Sequence, residues 1–206
     1  MQLNDLEKAI GHALPRAQRA YVEMTGWWLT HGPESFLQHE IARHIARKRK
    51  AIVFTEVSPR KIAAEFPTKG RGRTYEARKR FDLIVWQKSS YGVRAVIEIK
   101  RAWGAKPVLK DAKKIHSYML HKRAAKTGYL LVYSDASNAK GRSSGAGRRK
   151  HIEDRFAKWG RRLERTGWIK LRPQTFSPHR KYAQDEDGKT VWSWGYVIYR
   201  LDRNKI

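Results

Sequence analysis

Three side chains within twenty residues, FDLIVWQKSSYGVRAVIEIK at 81–100, have the types and spacing to do chemistry: Asp82, Glu98 and Lys100. Side chains alternate along a strand, so if Phe81–Trp86 and Arg94–Lys100 are strands, Asp82, Ile84 and Trp86 share a face opposite Phe81, Leu83 and Val85. Val96, Glu98 and Lys100 likewise stand opposite Ala95, Ile97 and Ile99. Neighbouring strands joined by the turn at Lys88–Gly92 bring the two carboxylates and the ammonium to one end of a hairpin. Charges set into apolar runs are costly to bury unless they pair or bind a metal. Two carboxylates beside a lysine suit a hard divalent cation such as Mg2+, which prefers oxygen ligands and keeps positions for water and substrate; the lysine can orient or deprotonate an attacking water. A structural salt bridge within the sheet is the competing account. Glu98 is the only glutamate in the chain with lysine two residues later.

The surrounding pattern must hold these residues. Residues 1–30 read as one or two helices broken at Pro15, with Trp27 and Trp28 as a buried anchor. A helix over Ser35–Lys48 follows, with Ser35 and Gln38 as a capping box and Leu37, Ile41 and Ile45 on its inward face. Ala51–Val57 reads as a strand, and a loop rich in Pro, Gly and Arg runs to Arg80. After the two site strands, a helix over Leu109–Ala125 leads to a strand at Tyr129–Tyr133, the form of a crossover to a parallel neighbour. A helix over Ile152–Arg165 and strands near Trp168–Leu171 and Val191–Leu201 complete the chain. The expected class is α/β: a central mixed sheet flanked by helices, with αβββαβ order from Ser35 to Tyr133.

Asp82, then a short turn, then Glu98-Ile99-Lys100 on the next strand resembles the Asp and (D/E)XK elements of the PD-(D/E)XK nuclease superfamily, which includes restriction enzymes and junction resolvases. Together with the αβββαβ order the resemblance covers about half the chain. Phe81 stands where the signature has Pro. The resemblance implies a restriction-endonuclease-like core and an Mg2+-dependent hydrolase of DNA phosphodiester bonds, with Mn2+ able to substitute and 5′-phosphate and 3′-hydroxyl products. It further implies that Asp82, Glu98 and the backbone carbonyl of Ile99 bind the metal and that Lys100 positions the attacking water. Many members take a further acid from the first core helix; Glu40, on the border of that helix's inward face, is assigned that role, with Glu56 as competitor. Lys114 and Tyr118, one turn apart on the next helix, are further candidates to face the scissile phosphate, or belong to a solvated basic face packed through Ile115 and Met119.

Charge names the partner. The chain carries 45 Lys and Arg against 19 Asp and Glu, a net charge of +26, and such an excess calls for a polyanion. DNA is the expected partner, contacted by Arg71 and Arg73 in the Arg-rich loop and by Lys140, Arg142, Arg148, Arg149 and Lys150 in a small-residue basic stretch expected to be disordered without ligand. With 8 Trp, 9 Tyr and 40% hydrophobic residues the chain can still bury a core. It has no cysteine, so disulfides and thiolate zinc sites are excluded. The sequence shows neither a signal peptide nor a membrane-length apolar run, and a soluble, cytoplasmic protein without membrane partners is expected. His39-Glu40 and His44 are five residues apart rather than the four a helical zinc motif needs.

The expected organisation is a helical extension over 1–34, the nuclease core over 35–137, a flexible basic loop over 138–150 and a C-terminal helix and strands over 151–206. Cleavage of both strands of a duplex usually employs two active sites, for which a symmetric homodimer is one arrangement. The alternatives are a non-catalytic basic module that binds DNA or RNA on the same fold, and an RNA-directed nuclease.

Overall fold

The computed structural model describes residues 3–26, 29, 32–49, 51–65, 80–87, 92–120, 125, 127–137, 144–168, 174–176 and 192–202. Its elements are α1 (Leu3–Thr25), α2 (Glu34–Arg49), β1 (Ile52–Val57), α3 (Pro59–Glu65), β2 (Phe81–Gln87), β3 (Gly92–Arg101), α4 (Ala105–Met119), β4 (Thr127–Ser137), α5 (Gly145–Glu164), β5 (Gln174–Phe176) and β6 (Trp192–Asp202). The strands form one mixed sheet in the order β1-β2-β3-β4-β6-β5. Only β3 and β4 are parallel, joined through α4; every other neighbouring pair is antiparallel. The expected α/β class holds, and the αβββαβ order recurs with the short α3 added between β1 and β2.

Helices cover both faces, which explains why the central strands read as continuous apolar runs rather than strict alternations. On one face Leu83, Val85, Ile97, Ile99, Leu131 and Tyr196 meet Leu6, Ile10 and Leu14 of α1 and Leu37, Ile41 and Ile45 of α2. On the other, Ile84, Val96, Leu130, Val132 and Tyr199 meet Val108 and Ile115 of α4 and Ile152 and Phe156 of α5. Gly128 sets how closely α4 lies on β4: a Cβ there would stand 2.1 Å from Ile115 Cγ2. No helix among the described residues is long and apolar enough to cross a membrane.

Several expectations change. Pro15 does not divide the first helix; α1 runs through it, its apolar stripe being packed on both sides of the proline by Ala13, Leu14 and Ala17. Residues 59–65 form α3, whose Ile62 is fully buried. The crossover helix begins at Ala105 and ends at Met119. Residues 145–150, expected to be disordered, form the first turns of α5, because Ser144 caps the helix by accepting from the Gly147 N–H at 3.0 Å and the Arg148 side chain is a buried anchor, 1% exposed. Trp27 and Trp28 lie outside the described residues, as do residues 169–171 of the expected strand at Trp168–Leu171.

One departure from strand alternation matters for the site. Phe81 joins Ile84 and Trp86 on the α4 face instead of Leu83 and Val85. Its partner across the ladder, Val57, comes directly after Glu56, which has φ 51. A left-handed residue in a strand shifts the phase of the residues beyond it, so Val57 and Phe81 turn to the α4 face together.

Candidate active site at the splayed ends of two strands

β2 and β3 pair from Gln87↔Gly92 to Leu83↔Ile97, with a shift of register between Val85 and Trp86, and the ladder stops there. At the next step the Asp82 carboxylate takes the place of a backbone acceptor: its Oδ2 receives the Ile99 N–H at 2.6 Å. The side chain thus wedges the strand ends apart. A strand residue directs its N–H and C=O to the same side, so the Ile99 carbonyl faces the gap that holds Asp82.

Glu98 stands beside this gap with its side chain 5% exposed, and α4 supplies its counter-charge, Lys114 Nζ at 2.6 Å from Oε1. The contact is an ion pair set off the direction of an ideal hydrogen bond. The same ammonium lies 4.9 Å from the Phe81 ring centroid, so the phase shift that turns Phe81 to α4 also gives Lys114 an aromatic floor. Both carboxyls hold protons unusually tightly. Burial raises Glu98 to about 8, with the Asp82 charge adding and Lys114 opposing. Burial likewise raises Asp82 to about 6, against the lowering effects of the Ile99 N–H and Lys114. Two neighbouring carboxyls that resist ionisation are a site short of positive charge.

Lys100 extends from the same strand. Burial works against its charge, but Glu34, Asp111 and Asp82 outweigh it and hold its pKa above the ordinary lysine value. Glu34 fixes it: one carboxylate oxygen lies 3.5 Å from Lys100 Nζ and the other accepts the Arg101 N–H at 2.9 Å, so the first residue of α2 is tied to the end of β3. Across the gap, Glu56 accepts from Gln38 Nε2 at 2.9 Å and its charge raises Asp82. A non-glycine residue at φ 51 beside such a cluster is strained, and strain of this kind gathers at functional sites.

The sequence-derived set is therefore partly assembled. Asp82, Glu98, Lys100, Ile99, Lys114 and Glu56 converge. Glu40 does not: it pairs with Arg43 at 2.6 Å and lines a pocket between α1 and α2. The α2 acid that reaches this end of the sheet is Glu34, because the inward face of that helix runs through Gln38, Ile41 and Ile45, and one turn before Gln38 is Glu34. Tyr118 is also corrected; its ring packs on Phe81 at 5.1 Å and it is 3% exposed, part of the core one turn deeper than Lys114. Asp111, one turn before Lys114 and Ile115, was missed, and its charge acts on both Lys100 and Glu98. The i, i+3 spacing from Asp111 to Lys114 was the available signal.

Of the expected nucleic-acid contacts, Arg71, Arg73, Lys140 and Arg142 lie outside the described residues. Arg148 is buried and donates to Ser193 Oγ at 3.2 Å, so it is a structural residue and not a phosphate contact. Arg149 and Lys150 are exposed, each paired one turn on, with Glu153 and Asp154.

Among the described residues no group of three or more His, Cys, Asp or Glu forms a metal cluster. The implied Mg2+ is compatible with what is present, since two oxygen donors with raised proton affinity and a backbone carbonyl facing the same gap offer hard ligands in want of a cation. Compared with protein-family models, curated proteins and solved structures, the chain has no match.

Proposed function

We propose that this protein is a metal-dependent nuclease of the PD-(D/E)XK type that hydrolyses DNA phosphodiester bonds. The observation that carries the reading is the convergence of Asp82, Glu98 and Lys100 where β2 and β3 separate, with both carboxyls holding their protons far above the usual range. Asp82, Glu98 and the Ile99 carbonyl would hold a divalent cation, which would supply polarisation of the phosphate and compensation of the charge that develops on it. Lys100 keeps its proton, because the carboxylates around it favour the ammonium; its role is to orient water and face the developing negative charge, not to act as a base at neutral pH. Glu34 restrains its rotamers and so sets the direction of that charge. Water attacks phosphorus and the bond to the 3′ oxygen breaks, leaving a 5′-phosphate and a 3′-hydroxyl. Lys114, now 2.6 Å from Glu98, is the further cation of the site and would be available to a phosphate oxygen if a divalent cation compensated the carboxylates instead. The net charge of +26 supplies sequence-independent attraction for the backbone.

One observation favours a second reading. The Lys114–Glu98 contact at 2.6 Å neutralises the buried carboxylate without any metal, as a structural ion pair in a non-catalytic DNA-binding module would. Incubation of purified protein with Mg2+ or Mn2+ and duplex, branched and single-stranded DNA, with RNA in parallel, separates the two. Cleavage of DNA that is lost in Asp82→Ala, Glu98→Ala and Lys100→Ala, with binding retained, is the expected result. Cleavage by Glu98→Ala at the wild-type rate would overturn the assignment.

A further inference from the structure

Directly after the site strand, the chain presents an indole to solvent. Trp103 is 55% exposed, a large exposure for the residue type with the most apolar area to hide. It is nevertheless held. Its Nε1–H donates to Asp135 Oδ1 at 3.0 Å, and the Arg101 guanidinium covers one face at 4.3 Å from the ring centroid. Asp135 is itself fixed at the end of β4: its side chain is 5% exposed, it lies 4.0 Å from an Arg101 nitrogen, and its backbone carbonyl accepts from Arg155 at 3.1 Å. Arg155 also donates to Ser134 Oγ. Burying a carboxylate to orient an exposed ring costs free energy that a simple surface tryptophan would not require. The next residue adds no cover of its own: it is Gly104, and a Cβ there would meet nothing within 4 Å.

The platform is joined to the site. Glu34 holds Lys100 through one oxygen and the Arg101 backbone through the other, and Arg101 stacks on Trp103. Three residues of extended chain keep the Cα atoms of Lys100 and Trp103 within about 11 Å, so the ammonium and the indole project from neighbouring points of the surface, within reach of one short stretch of nucleic-acid strand. Arg101 lies on the ring itself, and Lys100, Lys106 and Lys110 lie within seven residues of it along the chain. A pre-oriented aromatic face inside a basic surface is the arrangement on which an unstacked base docks, because every base has a π face while a paired base keeps its own covered.

We propose that Trp103 stacks on an unpaired nucleobase beside the cleavage position, so that the substrate class is DNA with an unpaired nucleotide, such as a flap, bulge or single strand, rather than uninterrupted duplex. This inference rests on the nuclease reading for its placement. Its test does not need the chemistry, because binding is measured in EDTA by fluorescence anisotropy at fixed salt. The probes are a labelled duplex, the same duplex with one unpaired nucleotide, and the single strand. Wild type should prefer the unpaired substrates by about 5- to 150-fold, the range of a single base–aromatic stack. Trp103→Ala should abolish that preference while leaving duplex affinity unchanged, and Trp103→Phe should retain most of it. In the wild-type complex a fluorescent adenine analogue at the unpaired position should be quenched, and should brighten in Trp103→Ala. A wild-type protein with no preference, a Trp103→Ala protein that keeps it, or one that loses duplex and unpaired DNA equally would each overturn the proposal. Loss of the nuclease reading would appear separately, as absent cleavage with Mg2+ despite intact binding selectivity.

Discussion

Replacing Glu98 with glutamine should make the metal-free protein more stable at alkaline pH, and the size of the gain is set by where the carboxyl sits. In the folded chain burial and the neighbouring Asp82 charge raise its pKa from the ordinary 4.5 to about 8. A carboxyl that holds its proton more tightly when folded stabilises the fold while protonated. That contribution is fully present below 4.5 and is lost as pH rises through about 8. At about 1.4 kcal/mol for each tenfold change in proton affinity, the loss by pH ~9 is on the order of 5 kcal/mol, a large part of the ~5–15 kcal/mol a domain has. Glutamine cannot ionise, so it escapes this loss. Against the gain stands the broken ion pair with Lys114, whose ammonium is 21% exposed and can turn toward water. Denaturant unfolding in EDTA from pH ~5 to ~9 should show wild type and Glu98→Gln close together at the acid end and separated by about 2–5 kcal/mol at the alkaline end. Parallel curves, or a glutamine variant less stable throughout, would refute the account of Glu98 as a carboxylate kept at a cost for function.

Mg2+ at about a hundred times its dissociation constant should raise the melting temperature by about 5–10 °C, from ~2.7 kcal/mol of linked stabilisation; calorimetry should show no such rise in Asp82→Ala. Glu34→Gln should lower cleavage about 10- to 100-fold and shift the alkaline limb of the pH–rate profile downward, since the carboxylate that holds Lys100 charged is gone. Glu40 pairs with Arg43 away from the site, so Glu40→Gln should cleave as wild type; equal loss in both variants would mean that the helix acid has been misplaced. Arg148→Ala should cost about 2–3 kcal/mol in unfolding experiments through the lost contact with Ser193, and should leave the salt dependence of DNA binding unaltered.

Local pattern was enough for some of this. Alternation along residues 81–100 put Glu98 and Lys100 together, the spacing of strand, helix and strand gave the parallel β3–β4 pair through α4, and the apolar runs foretold a sheet buried on at least one face, where the structure covers both. These features depend on contacts between residues close in sequence or on the two-residue repeat of a strand, which the order of residue types alone displays. What needed the tertiary structure was long-range. Glu34 reaches Lys100 across 66 residues, and no helical wheel distinguishes it from Glu40 until the rotation of α2 on the sheet is known. Arg148 reads as a basic loop residue until Ser193, 45 positions later, accepts from it in the core. Asp82 is seen to part the strand ends only once its carboxylate is found on the Ile99 N–H, beyond the last backbone pair of β2 and β3, and the raised proton affinities of Asp82 and Glu98 come from burial that two layers of helices create together. Residue types fix which chemistry is available; desolvation and orientation, which decide whether it is poised, are properties of the packed chain.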